Sequence, residues 1–314
     1  LDNLLKSDKL LKGEGFTNRY RITGKLKTLS PLHIGTGVED DNFPFSDSEK
    51  KKYTEKMGKV PSVSTIMRDH RGKPLLPGSS LRGVIRHWLL HILGGFNAEW
   101  ADTRDYQKDW EDLDQDAVIT KIQAEFSWLE LLFGTPLHAG KLEVWDATCL
   151  TPSLSISDPL LNWNEDRLTY VDTSVAIDPT RGTALNKLLY KTEIVPPGVE
   201  FDLNLAGQNL SDIELGMVLL ALQGFNSEIY PIRIGARGGR GYGRVQFIPG
   251  PIYRLDKENL GQWLTDTLNQ YGSGDKGANA GYYNLPKLSA ENQANLIQRV
   301  KAQMKTTPDG NHVQ

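Results

Sequence analysis

Two stretches of this sequence carry residue types and spacings suited to chemistry. The first, "RIGARGGRGYGRV" (233–245), sets Gly235, Gly238, Gly239, Gly241 and Gly243 among Arg233, Arg237, Arg240, Arg244 and Tyr242. Glycine lets backbone N–H groups approach a ligand, arginine supplies charge and tyrosine a stacking face; together they suit a polyanion. The second, "KPLLPGSSLRGVIRHWLLHIL" (73–93), runs an apolar strand end through a Pro-Gly turn into a helix bearing Ser79, Ser80, Arg82 and Arg86. The start of a helix presents unpaired N–H groups and the positive end of its dipole, so it draws a nucleotide or a nucleic-acid phosphate. An ordinary serine-capped helix with no ligand has the same appearance.

The glycine loop fits none of the common nucleotide motifs. A phosphate-binding P-loop needs GxxxxGK[ST], and no such lysine is present; a dinucleotide fingerprint needs GxGxxG between a strand and a helix, and here the spacing fails and a strand follows. Repetitive arginine-glycine tails are long and terminal, whereas this loop is short and embedded. A close-approach loop for a polyanion remains, beside the plainer alternative of a tight β-connection whose arginines only face solvent.

The elements that must position these residues are legible from periodicity. "RYRITGKLKTL" alternates Tyr20, Ile22 and Leu26 with Arg19, Arg21, Thr23, Lys25 and Lys27, a half-buried strand with one apolar and one basic face. Residues 38–62, polar and with five lysines between 50 and 59, read as a long loop. Leu81, Val84, Ile85, Trp88, Leu89, Ile92 and Leu93 form a helical stripe, with Ser79 or Ser80 as its N-cap and Gly94–Gly95 as its end. "FSWLELLFGTP" predicts a helix closed by Gly134, and "GKLEVWDATCL" a strand with Leu142, Val144 and Ala147 inward. "VPPGVEFDLNLAG" predicts another strand, with Val199, Phe201, Leu203 and Leu205 on one face. A helix opening near Ser211 and a last strand in "GRVQFIPGPIYRL" complete the series. The order matches an α+β, ferredoxin-like βαββαβ plan whose sheet has an open face, interrupted at 165–198. Past 251 come helices around 257–271 and 289–304, a Gly/Asn-rich linker at 272–281 and a tail expected to be disordered. The expected division is a domain over 1–250 and a C-terminal helical extension over 251–314.

Bulk properties exclude several classes. The chain has 314 residues, 39% hydrophobic and 24% charged, which is ordinary globular composition. No apolar run reaches the roughly 18 residues of a membrane span, and the first fifteen residues are too charged for a signal peptide. A single cysteine, Cys149, and the lack of CxxC or HExxH patterns point to a reducing cytoplasm and to no bound metal. The net charge is −3, yet it is segregated: eight acids lie between Glu99 and Asp116, and five arginines with no acid between Tyr230 and Leu255. One face can therefore be basic on an acidic whole.

"LHIGTG", "RDHRGKPLLPGSSLRGVIR", "LFG", "IDPTRGTALNKLLYKTEIVPPGVEF" and "GARGGRGYGRV" occur in that order. Together they resemble the RAMP superfamily of CRISPR proteins, and within it the Cas-seven-type backbone subunits of type III effector complexes, over roughly residues 17–250. The resemblance implies an RRM-like palm that binds guide crRNA, pairs it with a complementary target RNA and stacks against other effector subunits, with no membrane partner. It implies that "PGSSLRG" holds guide phosphates, with His33 and the glycine loop on the same RNA face. It also makes 165–198 a thumb hairpin, whose Ile177, Pro179, Thr180 and Arg181 would wedge between guide and target.

Catalysis is where the sequence departs from that family. Its active members carry an aspartate about six residues before the "RD" that precedes "PGSSL". Here the count from Asp69 lands on Val63, between Ser62 and Ser64. Asp40 and Asp41 lie earlier in the same stretch as candidates for a displaced acid. The expected function is thus guide binding with no cofactor of its own. A Mg²⁺-assisted endoribonuclease subunit within the complex, or a guide-processing nuclease with a histidine base, are the alternatives.

Overall fold

The computed structural model describes residues 15–97, 100–101, 115–154, 163–177, 180, 184–273 and 285–306. In chain order its elements begin with β1 (Asn18–Thr28), β2 (Gly35–Asp40), α1 (Asp47–Met57), β3 (Val63–Ile66), β4 (Leu75–Leu76) and α2 (Gly78–Phe96). Next come α3 (Gln115–Glu125), α4 (Trp128–Phe133), β5 (Gly134–Thr135), β6 (His138–Ala139), β7 (Leu142–Val144) and β8 (Ala147–Thr148). The remainder is β9 (Tyr170–Ile177), β10 (Ala184–Ile194), β11 (Glu200–Gln208), α5 (Asp212–Gly224), β12 (Val245–Asp256), α6 (Leu260–Ser273) and α7 (Ala290–Thr306).

Alternation in β1 buries Tyr20, Ile22 and Leu26, and alternation in β11 buries Phe201, Leu203 and Leu205. These strands lie side by side in an antiparallel sheet of order β12–β1–β11–β7. Helix α2 falls between the first and second of these strands in the chain, and α5 between the third and fourth. That is the ferredoxin-like βαββαβ arrangement expected from the sequence. The apolar stripe of α2 (Leu81, Ile85, Leu89, Leu93) joins the sheet's core, as do Leu215, Val218 and Leu222 of α5. Strand β12 crosses residue 250 without a break, and Leu296 and Val300 of α7 belong to the same core. A Cβ on Gly216 would lie 2.6 Å from Val300 Cγ2, so α7 meets α5 at close range.

A second sheet, β2–β3–β10–β9, carries the insertion. Strands β9 and β10 form an antiparallel hairpin, with β3 parallel to β10 on the other side. The hairpin expected at 165–198 is therefore present, but its base is one half of a sheet rather than a free projection. Thr180 is exposed near its tip; Pro179 and Arg181 lie outside the described residues, as do residues 274–284 and the end from 307.

Two expectations are corrected. Residues 38–62 are not a long loop: they hold β2 and α1. Ser46 and Glu49 form a reciprocal capping box at the start of α1, and Gly58 ends the helix in the left-handed region. Phe43, Phe45 and Tyr53 anchor it over Val63 and Val171. Helix α2 begins earlier than expected, with Pro77 rather than a serine at the N-cap and no side-chain cap. Asp146, distant in sequence, accepts the Gly78 N–H instead (2.7 Å), and Gly78 is pressed against the Val144 carbonyl, where a Cβ would sit 2.2 Å away. The helix also runs through Gly94–Gly95 to Phe96.

Candidate nucleic-acid interface

The glycine loop leaves the core at Ile234 and folds back on residues 31–34. Ala236 N–H donates to the His33 carbonyl (2.9 Å) and Gly243 N–H to that of Pro31 (2.9 Å). Gly235 and Gly243 have φ of +78° and +79°, and a Cβ on either would lie 2.2 or 2.1 Å from a carbonyl oxygen. These two glycines serve approach of the chain to itself. Between them Arg237 takes a left-handed conformation (φ 64°) ahead of a 3₁₀ turn over Gly238–Arg240, closed by Gly241. Gly239 and Gly241 face open space, so the tip leaves room for a ligand against the backbone.

The arginines of this loop divide into two kinds. Arg237 is mostly buried and donates to Asp172 Oδ2 (3.3 Å), Ser174 Oγ (3.3 Å) and Thr192 Oγ1, all on the hairpin. Its guanidinium lies 5.2 Å from the Tyr190 ring centroid and 6.0 Å from that of Tyr242, whose hydroxyl also donates to Asp172 (3.2 Å). Burial, reinforced by the Asp172 charge, pushes the Tyr242 phenol up. Arg233 and Arg240 are exposed, and Arg244 is half-buried with its N–H held by Ser30 Oγ (2.9 Å). Arg237 thus fastens loop to hairpin, while Arg233, Arg240 and Arg244 supply the outward charge.

His33 is buried between the loop and the hairpin base. Its Nδ1–H donates to the Glu193 carbonyl (2.8 Å), because a carbonyl can only accept. Burial holds its pKa below the ordinary histidine value, so the ring is neutral and Nε2 carries a lone pair. That nitrogen can accept a hydrogen bond and cannot donate one. Beneath it the Glu193 side chain, fully buried, accepts from Arg167 Nε (2.9 Å), Thr169 Oγ1 (2.8 Å), the Ile66 N–H (3.2 Å) and Arg68. Burial alone would raise this carboxyl; Arg167, Arg68 and Thr169 outweigh it and hold the pKa below the ordinary value.

The helix opening joins this site through main chain. Leu75 N–H donates to the Met67 carbonyl (3.0 Å) and Met67 N–H to that of Ile34 (2.9 Å), next to His33. Ser79 is exposed, while Ser80 and Arg86 are half-buried. Arg82 is spent elsewhere: it donates to the Phe133 carbonyl and lies 5.4 Å from that ring's centroid, with burial lowering its pKa.

The open face of the first sheet, which the alternation in β1 left available, is cross-braced. Arg19 pairs with Glu143 and Lys25 with Glu200, while Arg21 donates to Asn204 and stacks on Trp145 at 3.6 Å. One end of the sheet is further covered where Tyr253 and Leu255 pack with Leu260, Trp263 and Leu285.

The acidic candidates do not converge. Val63, at the counted position, is fully buried and pairs across the ladder with Asp40. Asp40 Oδ1 accepts the Asn42 N–H (2.8 Å), closing the turn after β2; Asp41 is exposed. Among the described residues no three histidine, cysteine, aspartate or glutamate side chains gather as a metal-binding group. Asp40 and Asp41 therefore make a poor fit to Mg²⁺.

Residues 25–246 match the family model of the RAMP superfamily. The chain belongs to the RAMP superfamily. A search of curated proteins finds no match. The superfamily is associated with RNA binding in CRISPR systems, and the matched span of this RAMP chain contains the glycine loop, His33, the helix opening and the hairpin. Among the described residues no helix is long and apolar enough to cross a membrane. Sequence reasoning missed Asp172, Ser174, Tyr190 and Thr192; the one signal was the adjacent Tyr190 and Lys191 in "LLYKTE", and it did not extend to Asp172 or Ser174.

Proposed function

We propose that this RAMP protein is a guide-crRNA-binding backbone subunit of a type III CRISPR effector complex, without a catalytic aspartate of its own. The observation that carries the reading is the loop–hairpin junction. An open glycine tip at Gly239 and Gly241 is flanked by exposed Arg233 and Arg240 and by the Tyr190 and Tyr242 rings. Guide phosphates would seat at the tip and at the opening of α2, which gives affinity without sequence preference. Base pairing with target RNA would carry specificity, the hairpin would wedge the duplex from an RRM-like palm, and neighbouring subunits would continue the array. Arg233→Ala, Arg240→Ala and Arg244→Ala combined should strip co-purifying RNA and reduce the salt slope of binding by about 0.7 per lost contact. Unchanged RNA content with an unchanged slope would sink the reading.

A second reading, an endoribonuclease subunit acting on target RNA, draws on one observation. Asp40 stands directly across the ladder from Val63, beside the position where active relatives place their aspartate. The double substitution described in the Discussion separates the two.

A further inference from the structure

We propose that Tyr190 is a nucleobase-stacking residue, the aromatic floor of a site for one unpaired base of single-stranded RNA. The proposal rests on the RNA-binding reading above and adds a residue and a contact type to it.

Tyr190 lies on β10 opposite Ser174 of β9, with 36% of its surface exposed. An aromatic ring this exposed on a strand contributes little to packing, yet it is held firmly. Arg237 lies 5.2 Å from its centroid and is itself tied to Asp172, Ser174 and Thr192. Arg240 and Ser174 lie close enough to its hydroxyl to hold the phenol below its ordinary pKa. Tyr190, Arg237 and Tyr242 thus form an aromatic–cation–aromatic series, rigid because its central member is bonded three times to the hairpin. A ring fixed before binding loses little entropy when a base stacks on it.

The surroundings identify the ligand. Arg240, whose side chain lies beside the phenol, belongs to the same 3₁₀ turn as Gly239, where no side chain blocks the backbone. A base on Tyr190 would therefore carry its phosphate toward Arg240 and the open tip. Stacking plus one phosphate contact describes a single nucleotide within a strand. It is indifferent to sequence, since every base has a π-face.

The test uses full-length protein and single-stranded RNA oligonucleotides carrying 2-aminopurine at successive positions, titrated over a salt series. Tyr190→Phe keeps the ring and should bind within about twofold of wild type, with the same quenching of one 2-aminopurine position. Tyr190→Leu keeps an apolar side chain and the strand but no ring. It should weaken binding about 5- to 150-fold, the range for losing one stacked base, and abolish that quenching. The slope of log K against log salt should stay unchanged, because no charge is lost. If Tyr190→Leu binds as tightly as Tyr190→Phe, or quenching survives in it, the proposal is overturned while RNA binding stands. If wild type binds no RNA, the RNA-binding reading falls first.

Discussion

Glu193→Gln is the sharpest test of how the hairpin is attached to the palm. The substitution keeps shape and removes one charge from a side chain that is 0% exposed and faces two guanidiniums, those of Arg68 and Arg167, 15% and 24% exposed. Breaking a buried pair by neutralising one partner costs about 3–5 kcal/mol, because the other charge is left without its counterpart. Both arginines retain some access to water, so the lower end, about 3 kcal/mol, applies here. Unfolding entropy near 2.1 cal/mol/K per residue over 314 residues turns this into a fall in Tm of roughly 5 °C. The variant also has a pH signature. Glu193 has a folded pKa below 4.5, so its contribution is present above 4.5 and lost as pH falls from there through the depressed folded value. Thermal melts from pH 7 to 3 should show a lower Tm for Glu193→Gln at neutral pH and a shallower decline in acid, the two curves converging. Equal melting at pH 7, or parallel curves throughout, would refute the view that this carboxylate holds β3, β10 and residues 167–169 together.

Three further outcomes are expected. The wild-type protein should begin losing stability below pH 6.5, before Glu193 titrates. Burial depresses the His33 pKa, so the folded state resists the proton that the unfolded state accepts; His33→Asn should remove that first phase in a pH-resolved melt. Arg237→Ala should accelerate hydrogen exchange at Asp172, Ser174 and Thr192 while leaving β1 and β11 protected; exchange unchanged in the hairpin would contradict its role as a fastening. Asp40→Ala with Asp41→Ala should leave target-RNA cutting by the assembled complex intact, as read from the cleavage ladder on a gel. Loss of one cut among several would establish the nuclease reading instead.

The strands of the first sheet and the stripe of α2 were legible because burial there follows local periodicity, as in Tyr20, Ile22 and Leu26. Helix α1 was obscured by its lysines: the Ser46–Glu49 capping box is plain in the sequence, but composition outweighed it. The N-terminus of α2 was misplaced because its decisive partner, Asp146, is 68 residues away and no local pattern encodes it. The same reason explains Arg237. A glycine-loop arginine looks free in the sequence, and only the fold brings Asp172, 65 residues distant, against it. Charge at the site could be counted from the sequence; which charge is already engaged could not.

The packing of α7 on α5 bears on how this protein can be cut and rebuilt. The family match ends at residue 246, which invites trimming the chain there for expression or for fusion to a label. Such a truncation would remove nearly all of β12, and it would also strip Leu296 and Val300 from the groove over Gly216 and uncover a helix whose residues from Leu215 to Leu219 are all buried. The glycine that admits a neighbour so closely would then front an open apolar trough, which invites aggregation. Labels belong beyond α7, and transplanting this palm into another subunit requires carrying its last helix along.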